Sequence, residues 1–301
     1  MLPTRRHLLQ AAAAALLPPG VPLAAADEPK LIREDYALAR QRFRTHLVKM
    51  GPAPDEPQPL YAPPGARRLD YRSGELTLTA WISENAEQPA TSIGSRSTAL
   101  RPAVLFLHGG NALWQGHWDL ARPYVEAGYV AMMPAVRAEN GLPGYFSGFY
   151  DETSDVLAAA ELLRAQPGVD RERLFLAGHS VGGTLTLLAA MSAPIFRAAA
   201  AFSASPDARA FFRRFPEDIR FDTAEPQEFD MRSPLSFATS FKCPVLMLHG
   251  SQEKKTDAAL RLIADRAEAA GLKAKRGIIE GNHSSAIPGE TVESLRFFAS
   301  V

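Results

Sequence analysis

The chain has 301 residues, of which 46% are hydrophobic and 22% charged, enough apolar content to build one large globular core. Its 33 basic and 33 acidic residues cancel, so no net field draws it to nucleic acid or an anionic membrane, and the expected partner is a small neutral or mixed-charge molecule. The single cysteine, Cys243, excludes an internal disulfide and reads as a core residue beside Pro244.

The segment Thr4-Arg5-Arg6-His7-Leu8-Leu9 has the form of a twin-arginine export signal. The apolar stretch Ala11 to Leu17 and the small residues Ala24-Ala25-Ala26 complete it, so residues 1–26 are expected to be cleaved and the mature protein to be periplasmic or secreted. Pro18, Pro19, Gly20 and Pro22 leave that stretch too short for a membrane span. An alanine-rich disordered tail is the alternative reading. Residues 27–65 then read as an N-terminal helix, over Leu31 to Met50, and a Pro-rich extended linker over Gly51 to Gly65.

Residues 66–301 read as one domain. Leu76 to Ile82 alternates as an early strand, and Glu84 to Leu100, rich in Ser, Thr and Ala, is a flexible connection. Pro102 to Leu107 is an apolar strand that runs into His108-Gly109-Gly110-Asn111. Such a turn can aim backbone N–H groups at a developing negative charge, and Gly110 is the candidate donor. Arg137 and Glu139 read as a buried ion pair bracing the site. The aromatic, glycine-containing loop Gly144 to Tyr150 could reach a cleft through Tyr145.

Arg173 to Ala177 is a short buried strand, and Gly183 to Ala190 a helix; between them stands Gly178-His179-Ser180-Val181-Gly182. A strand, a Gly-x-Ser-x-Gly turn and a helix are the context that thrusts a serine hydroxyl out as a nucleophile, with the Val181 amide as a second oxyanion donor. A serine needs a base, and of the seven histidines His283 lies in a loop directly after the strand-like Ala274 to Glu280, downstream of the serine. The acid that orients the base is expected after the strand Pro244 to Gly250. Glu253 is chosen there; Asp257 is the rival, although next to Thr256 it reads equally as a first-turn helix residue.

Between the strands Ala198 to Phe202 and Pro244 to Gly250 lies Ser203 to Lys242, carrying Phe211, Phe212, Phe215, Phe221 and Phe229. It reads as a partial cap whose Phe211 and Phe212 line a substrate pocket, or as an insertion whose phenylalanines only pin it to the core. His-Glu-x-x-His and a dinucleotide-binding glycine fingerprint are both absent, so neither metal nor cofactor is expected. Nothing in the pattern specifies an oligomeric state.

From Arg101 onward these motifs together resemble the α/β-hydrolase domain of the prolyl oligopeptidase (S9) and dienelactone-hydrolase-like group. The matching pieces are His-Gly-Gly at 108–110, Pro134 to Arg137 with Asn140-Gly141, Asp155 to Leu163 as the helix before the turn, Gly178 to Gly183, Arg232-Ser233-Pro234, Cys243 to Gly250 and Gly281-Asn282-His283. The resemblance implies an α/β-hydrolase fold: a mostly parallel central sheet flanked by helices on both faces, with a partial cap between strands 6 and 7. It implies acyl transfer onto Ser180 and then hydrolysis. Three departures bear on the substrate. Only a short segment stands ahead of the hydrolase pattern where oligopeptidases carry a β-propeller, Glu253 stands where the family usually has Asp, and the nucleophile is Ser where dienelactone hydrolases proper use Cys. They point to a carboxylic ester, with a short peptide cleaved by a dipeptidyl or aminoacyl peptidase as one alternative and a non-catalytic binding protein of the same fold as another.

Overall fold

The computed structural model describes residues 30–87 and 100–301. The export signal expected at residues 1–26 and most of the connection before Leu100 lie outside the described residues. In chain order the elements are α1 (Tyr36–Arg42), β1 (Ala66–Ser73), β2 (Leu76–Ser83), β3 (Arg101–Leu107), α2 (Trp118–Glu126), β4 (Val130–Pro134), α3 (Glu152–Arg164) and β5 (Val169–His179). They continue as α4 (Val181–Ser192), β6 (Ala198–Phe202), α5 (Ala208–Arg214), α6 (Pro226–Asp230), β7 (Val245–Gly250), α7 (Lys254–Ala269), β8 (Ala274–Ile279) and α8 (Ile287–Ala299).

The eight strands form one sheet in the order β1-β2-β4-β3-β5-β6-β7-β8. β1–β2 and β2–β4 are antiparallel, and every later pairing is parallel. The parallel strands read as unbroken apolar runs because both faces are covered. In β3, Ala103, Leu105 and Leu107 face the core under α1, α3, α4 and α7, whereas Val104 and Phe106 face the core under α2 and α8. β6 and β7 divide in the same way, with Ala199, Ala201, Val245 and Met247 on the first face and Ala200, Phe202, Leu246 and Leu248 on the second. This is the α/β-hydrolase fold that the motifs imply. Among the described residues, no helix is long and apolar enough to cross a membrane.

Three local expectations change. The helix expected over Leu31 to Met50 is confined to α1. Asp35 caps it by accepting from the Ala37 and Leu38 amides at 3.0 and 3.2 Å, and the chain turns extended at Phe43, whose ring meets Tyr150 edge-on at 5.4 Å. Beyond that point Leu47 bridges to Phe221 of the cap segment, so tertiary pairing overrides helical spacing. The strand before the serine begins at Val169, not at Arg173. β1 is an additional edge strand; its arginines and aspartate hid it from an apolar search, and charge is what an exposed sheet edge tolerates.

The segment between β6 and β7 is tied down by one buried ion pair. Arg232 and Glu228, on successive turns, have side chains 0% and 1% exposed and meet at 2.5 Å. Arg232 also donates to the Ser147 carbonyl at 3.0 and 2.8 Å and to Thr45 Oγ1 at 2.7 Å, while Glu228 accepts from the His46 amide at 2.5 Å. One guanidinium thus joins the cap, the N-terminal segment and the Gly144 to Tyr150 loop. Arg232→Met is expected to cost ~3–5 kcal/mol in urea unfolding because Glu228 is left buried without a counter-ion, and the double change Arg232→Met/Glu228→Leu should recover most of that loss.

Candidate active site

β5 delivers the serine. Ser180 sits at φ 57° and ψ −115°, a conformation that side chains rarely adopt, and its amide donates to the Phe202 carbonyl at 2.9 Å. The turn is this sharp because its glycines let backbone pass backbone. A Cβ on Gly178 would lie 2.5 Å from the Gly182 carbonyl oxygen, and one on Gly182 would strike the Leu107 and His108 carbonyl oxygens. α4 starts at the next residue, so the positive end of its dipole and the first amide, that of Val181, lie at the half-buried Ser180.

β8 leads into the loop that carries His283. There the Asn282 side chain accepts from the Ser284 and Ser285 amides at 3.0 and 2.9 Å and shapes the turn. The loop is held against the serine turn by His179, whose Nε2 lies 2.8 Å from the His283 carbonyl oxygen. A carbonyl only accepts, so Nε2 carries the proton. Burial first, with the charge of His283, lowers the His179 pKa to about 4 and keeps the ring neutral.

Of the two acids weighed after β7, the structure brings Glu253 to His283: Nδ1 lies 2.7 Å from Glu253 Oε1. The His283 side chain is 47% exposed and that of Glu253 14%, so the imidazole faces the cleft and the carboxylate stands behind it. Glu253 Oε2 accepts from Ser203 Oγ at 2.6 Å and from the Gly250 amide at 2.8 Å. Burial alone would raise the Glu253 pKa; the hydrogen bonds from His283, Ser203 and Gly250 outweigh it and hold the carboxyl at about 2. Asp257 is engaged elsewhere, with Arg276 at 2.6 Å, Arg261 at 3.1 Å and His249 at 3.2 Å. A glutamate fits where an aspartate is usual because its backbone folds back, its amide donating to the Gly250 carbonyl at 2.9 Å, and the longer side chain spans the rest.

The loop after β3 closes on the serine. A Cβ on Gly109 would stand 3.4 Å from Ser180 Cβ, and Gly110 adopts φ +73°. Neither the Gly109 nor the Gly110 amide is hydrogen-bonded to another described residue, whereas the Asn111 amide donates to Asp55 Oδ2 at 2.6 Å. The other side of this loop is braced by His108, whose Nε2 lies 3.2 Å from Glu139 Oε2 and whose ring stacks on His117 at 4.9 Å. Burial works against charge on His108, but Glu139 beside it leaves its pKa raised; burial and the nearby His108 and His179 lower that of His117 to about 3. Glu139 therefore pairs with His108 and not with Arg137. Arg137 instead forks onto Asp155, Nε to Oδ2 at 2.8 Å and Nη2 to Oδ1 at 2.7 Å. The left-handed residues Ala138 and Asn140 turn the two side chains apart.

The expected substrate aromatics divide. Phe212 is 1% exposed among Phe149, Phe211 and Phe221, so it pins the cap to the core and lines no cleft. Phe211 is half-buried and borders a groove of about 1020 Å³ between α5 and α7. Tyr145 is 52% exposed at the surface of its loop. A smaller cavity of about 470 Å³ opens on the glycine loop itself, lined by Asp55, Glu56, Gly109, Gly110, Trp114 and His117. Sequence reasoning missed Asp55, His179, Ser203 and the His108–Glu139 brace. Asp55 stands in a Pro-rich stretch with no motif; only His179, inside the turn, was within reach of a sequence signal. Among the described residues no group of three or more His, Cys, Asp or Glu is placed to hold a metal ion.

Residues 144–267, which include Ser180 and Glu253, match the prolyl oligopeptidase family model. The peptidase YtmA of Bacillus subtilis is 25% identical over 67% of this chain and 77% of its own length. The acylaminoacyl peptidase of Pyrococcus horikoshii superposes with a TM-score of 0.61 at 20% identity over 78% of this chain, which spans only 40% of that enzyme. Esterase 2 of Thermogutta terrifontis gives 0.61 at 20% identity over 81% of this chain and 97% of its own. At such identities the two structures speak for the fold alone. The match over residues 144–267, laid over this serine turn, makes the chain similar to serine hydrolases of the prolyl oligopeptidase (S9) group.

Proposed function

We propose that the protein cleaves carboxylic esters through an acyl-enzyme on Ser180, with His283 as base, Glu253 as the acid that orients it, and the Gly110 and Val181 amides as oxyanion donors. The 2.7 Å bond from His283 Nδ1 to Glu253 carries this reading, because it leaves Nε2 of the neutral imidazole free to accept the Ser180 proton. Ser180 Oγ attacks the ester carbonyl carbon and its proton passes to His283 Nε2. The oxyanion is met by the two amides, and His283 returns the proton to the departing alcohol. Water, deprotonated by the same nitrogen, then releases the acid. Export through the signal at residues 1–26 would place this activity in the periplasm or outside the cell.

One observation favours a second reading, aminoacyl or dipeptidyl peptidase activity. Asp55 and Glu56 are among the residues that line the cavity on the glycine loop, where a substrate ammonium beside the scissile acyl group would find an opposite charge. Short-chain p-nitrophenyl esters and aminoacyl p-nitroanilides, assayed together with labelling by an organophosphonate probe, separate the possibilities. Ester turnover and labelling are expected in the wild type, and anilide turnover that rivals it would favour the peptidase. Under the peptidase reading Glu56→Gln raises KM for the anilide roughly fivefold or more with little change in kcat, and for a neutral ester changes neither. An unlabelled, inactive protein would overturn both readings in favour of a binding role.

A further inference from the structure

Behind Glu253 lies a second acid that the proposed chemistry does not use. Glu290, in the first turns of α8, is 0% exposed, and no lysine, arginine or histidine among the described residues pairs with it. Its Oε1 lies 3.3 Å from Ser203 Oγ, and its Oε2 has no partner. The same Ser203 oxygen donates to Glu253 Oε2 at 2.6 Å. Ser203 is itself held in a strained place, at φ +47° and 2% exposed, by the hydrogen bond that its amide donates to the Leu248 carbonyl at 2.8 Å.

A hydroxyl has one proton. Ser203 gives it to Glu253, so the contact with Glu290 is a hydrogen bond only if Glu290 supplies the proton. An ionised Glu290 would be a buried, unpaired carboxylate with one oxygen unsatisfied, pressed against a second anion. We propose that Glu290 is a neutral carboxylic acid and a positioning residue of the catalytic unit: it donates to Ser203 Oγ, which fixes the Ser203 hydroxyl on Glu253 and leaves a single negative charge behind His283. The inference rests on the Ser180–His283–Glu253 reading for its catalytic meaning and on geometry alone for its protonation.

Burial first, and then the charge of Glu253, raises the Glu290 pKa to about 8. The groups that face it are Glu253 from the turn before α7, Ser203 from the end of β6, and Tyr124 of α2, whose hydroxyl meets Ser294 of α8 at 2.6 Å. On α8 itself Glu293 and Arg296 pair with each other at the surface at 2.5 Å. Nothing among these offsets a second negative charge, so above about pH 8 Glu290 ionises, ceases to donate, and the hold on Glu253 loosens.

Two readouts test this. Infrared spectra of the wild type at neutral pH are expected to contain the carbonyl band of a protonated carboxyl that disappears between about pH 7 and pH 10 and is missing from Glu290→Gln; Glu152 and Asp218, also raised by burial, to about 7 and about 6, cancel in the difference. In pH–rate profiles the wild type loses kcat above about pH 8. Glu290→Gln, which keeps an N–H for Ser203 and cannot ionise, loses that alkaline fall, whereas Glu290→Leu lowers kcat roughly tenfold at every pH with KM little changed. A wild type without the band, a Gln variant that retains it, or an alkaline fall that survives Glu290→Gln would overturn the proposal. If no substrate is turned over and no probe binds, the hydrolase reading fails by itself, and the infrared comparison still decides the protonation of Glu290.

Discussion

Ser180→Ala is expected to lower kcat for a p-nitrophenyl ester by on the order of 10⁶ while KM stays within a few-fold, because in the proposed mechanism the serine forms the covalent intermediate and contributes little to ground-state binding. Labelling by the organophosphonate probe should vanish with it. The same position stores strain: Ser180 is held at φ 57° by the hydrogen bond that its amide donates to the Phe202 carbonyl and by the close glycines on either side. Ser180→Gly should therefore be as inactive as the alanine variant and yet unfold at a higher temperature, since glycine adopts a positive φ without the ~1–3 kcal/mol penalty of a side chain. Thermal unfolding and active-site titration of the two variants separate the contributions. Turnover that survives Ser180→Ala at more than a trace would place the nucleophile elsewhere.

Glu253→Gln should lower kcat by ~10⁴ at neutral pH, the effect of presenting an amide N–H to Nδ1 and so stabilising the tautomer whose Nε2 already bears a proton. Asp257→Asn, four residues on in α7, should leave turnover within a few-fold, because Asp257 is spent on Arg276, Arg261 and His249. The reverse ranking would move the acid to Asp257. Stability should follow pH through Glu253 as well. Its pKa is depressed from 4.5 to about 2, so the stabilisation it contributes is complete above about pH 4.5 and is lost as the pH falls towards 2. Acid unfolding of Glu253→Gln should be correspondingly flatter over that interval.

Much of this was legible from residue order. The alternation of strand and helix patterns specified a parallel sheet covered on both faces, since unbroken apolar runs such as Val104 to Leu107 and Ala198 to Phe202 cannot face water on either side. Gly178 to Gly182 marked the serine because that turn is local: its glycines, its strand and its helix are neighbours in the chain. His283 and Glu253 both stand after predicted strands and meet because the sheet places all strand ends of one direction along one edge. The helix expected to run on to Met50 failed because Phe43 and Leu47 find partners in Tyr150 and Phe221, far away in sequence.

By itself the sequence determined the fold class and the sharp strand-turn-helix that presents Ser180, both written in short-range pattern and periodicity. Only the tertiary structure brought Glu253 and not Asp257 to His283, paired Glu139 with His108 in place of Arg137, buried Phe212, brought Asp55 to the glycine loop, and set Ser203 and Glu290 behind Glu253. Each of these depends on where a side chain ends in space after long loops have closed, and charge complementarity and burial between distant segments leave no periodic trace in the chain that could foretell them.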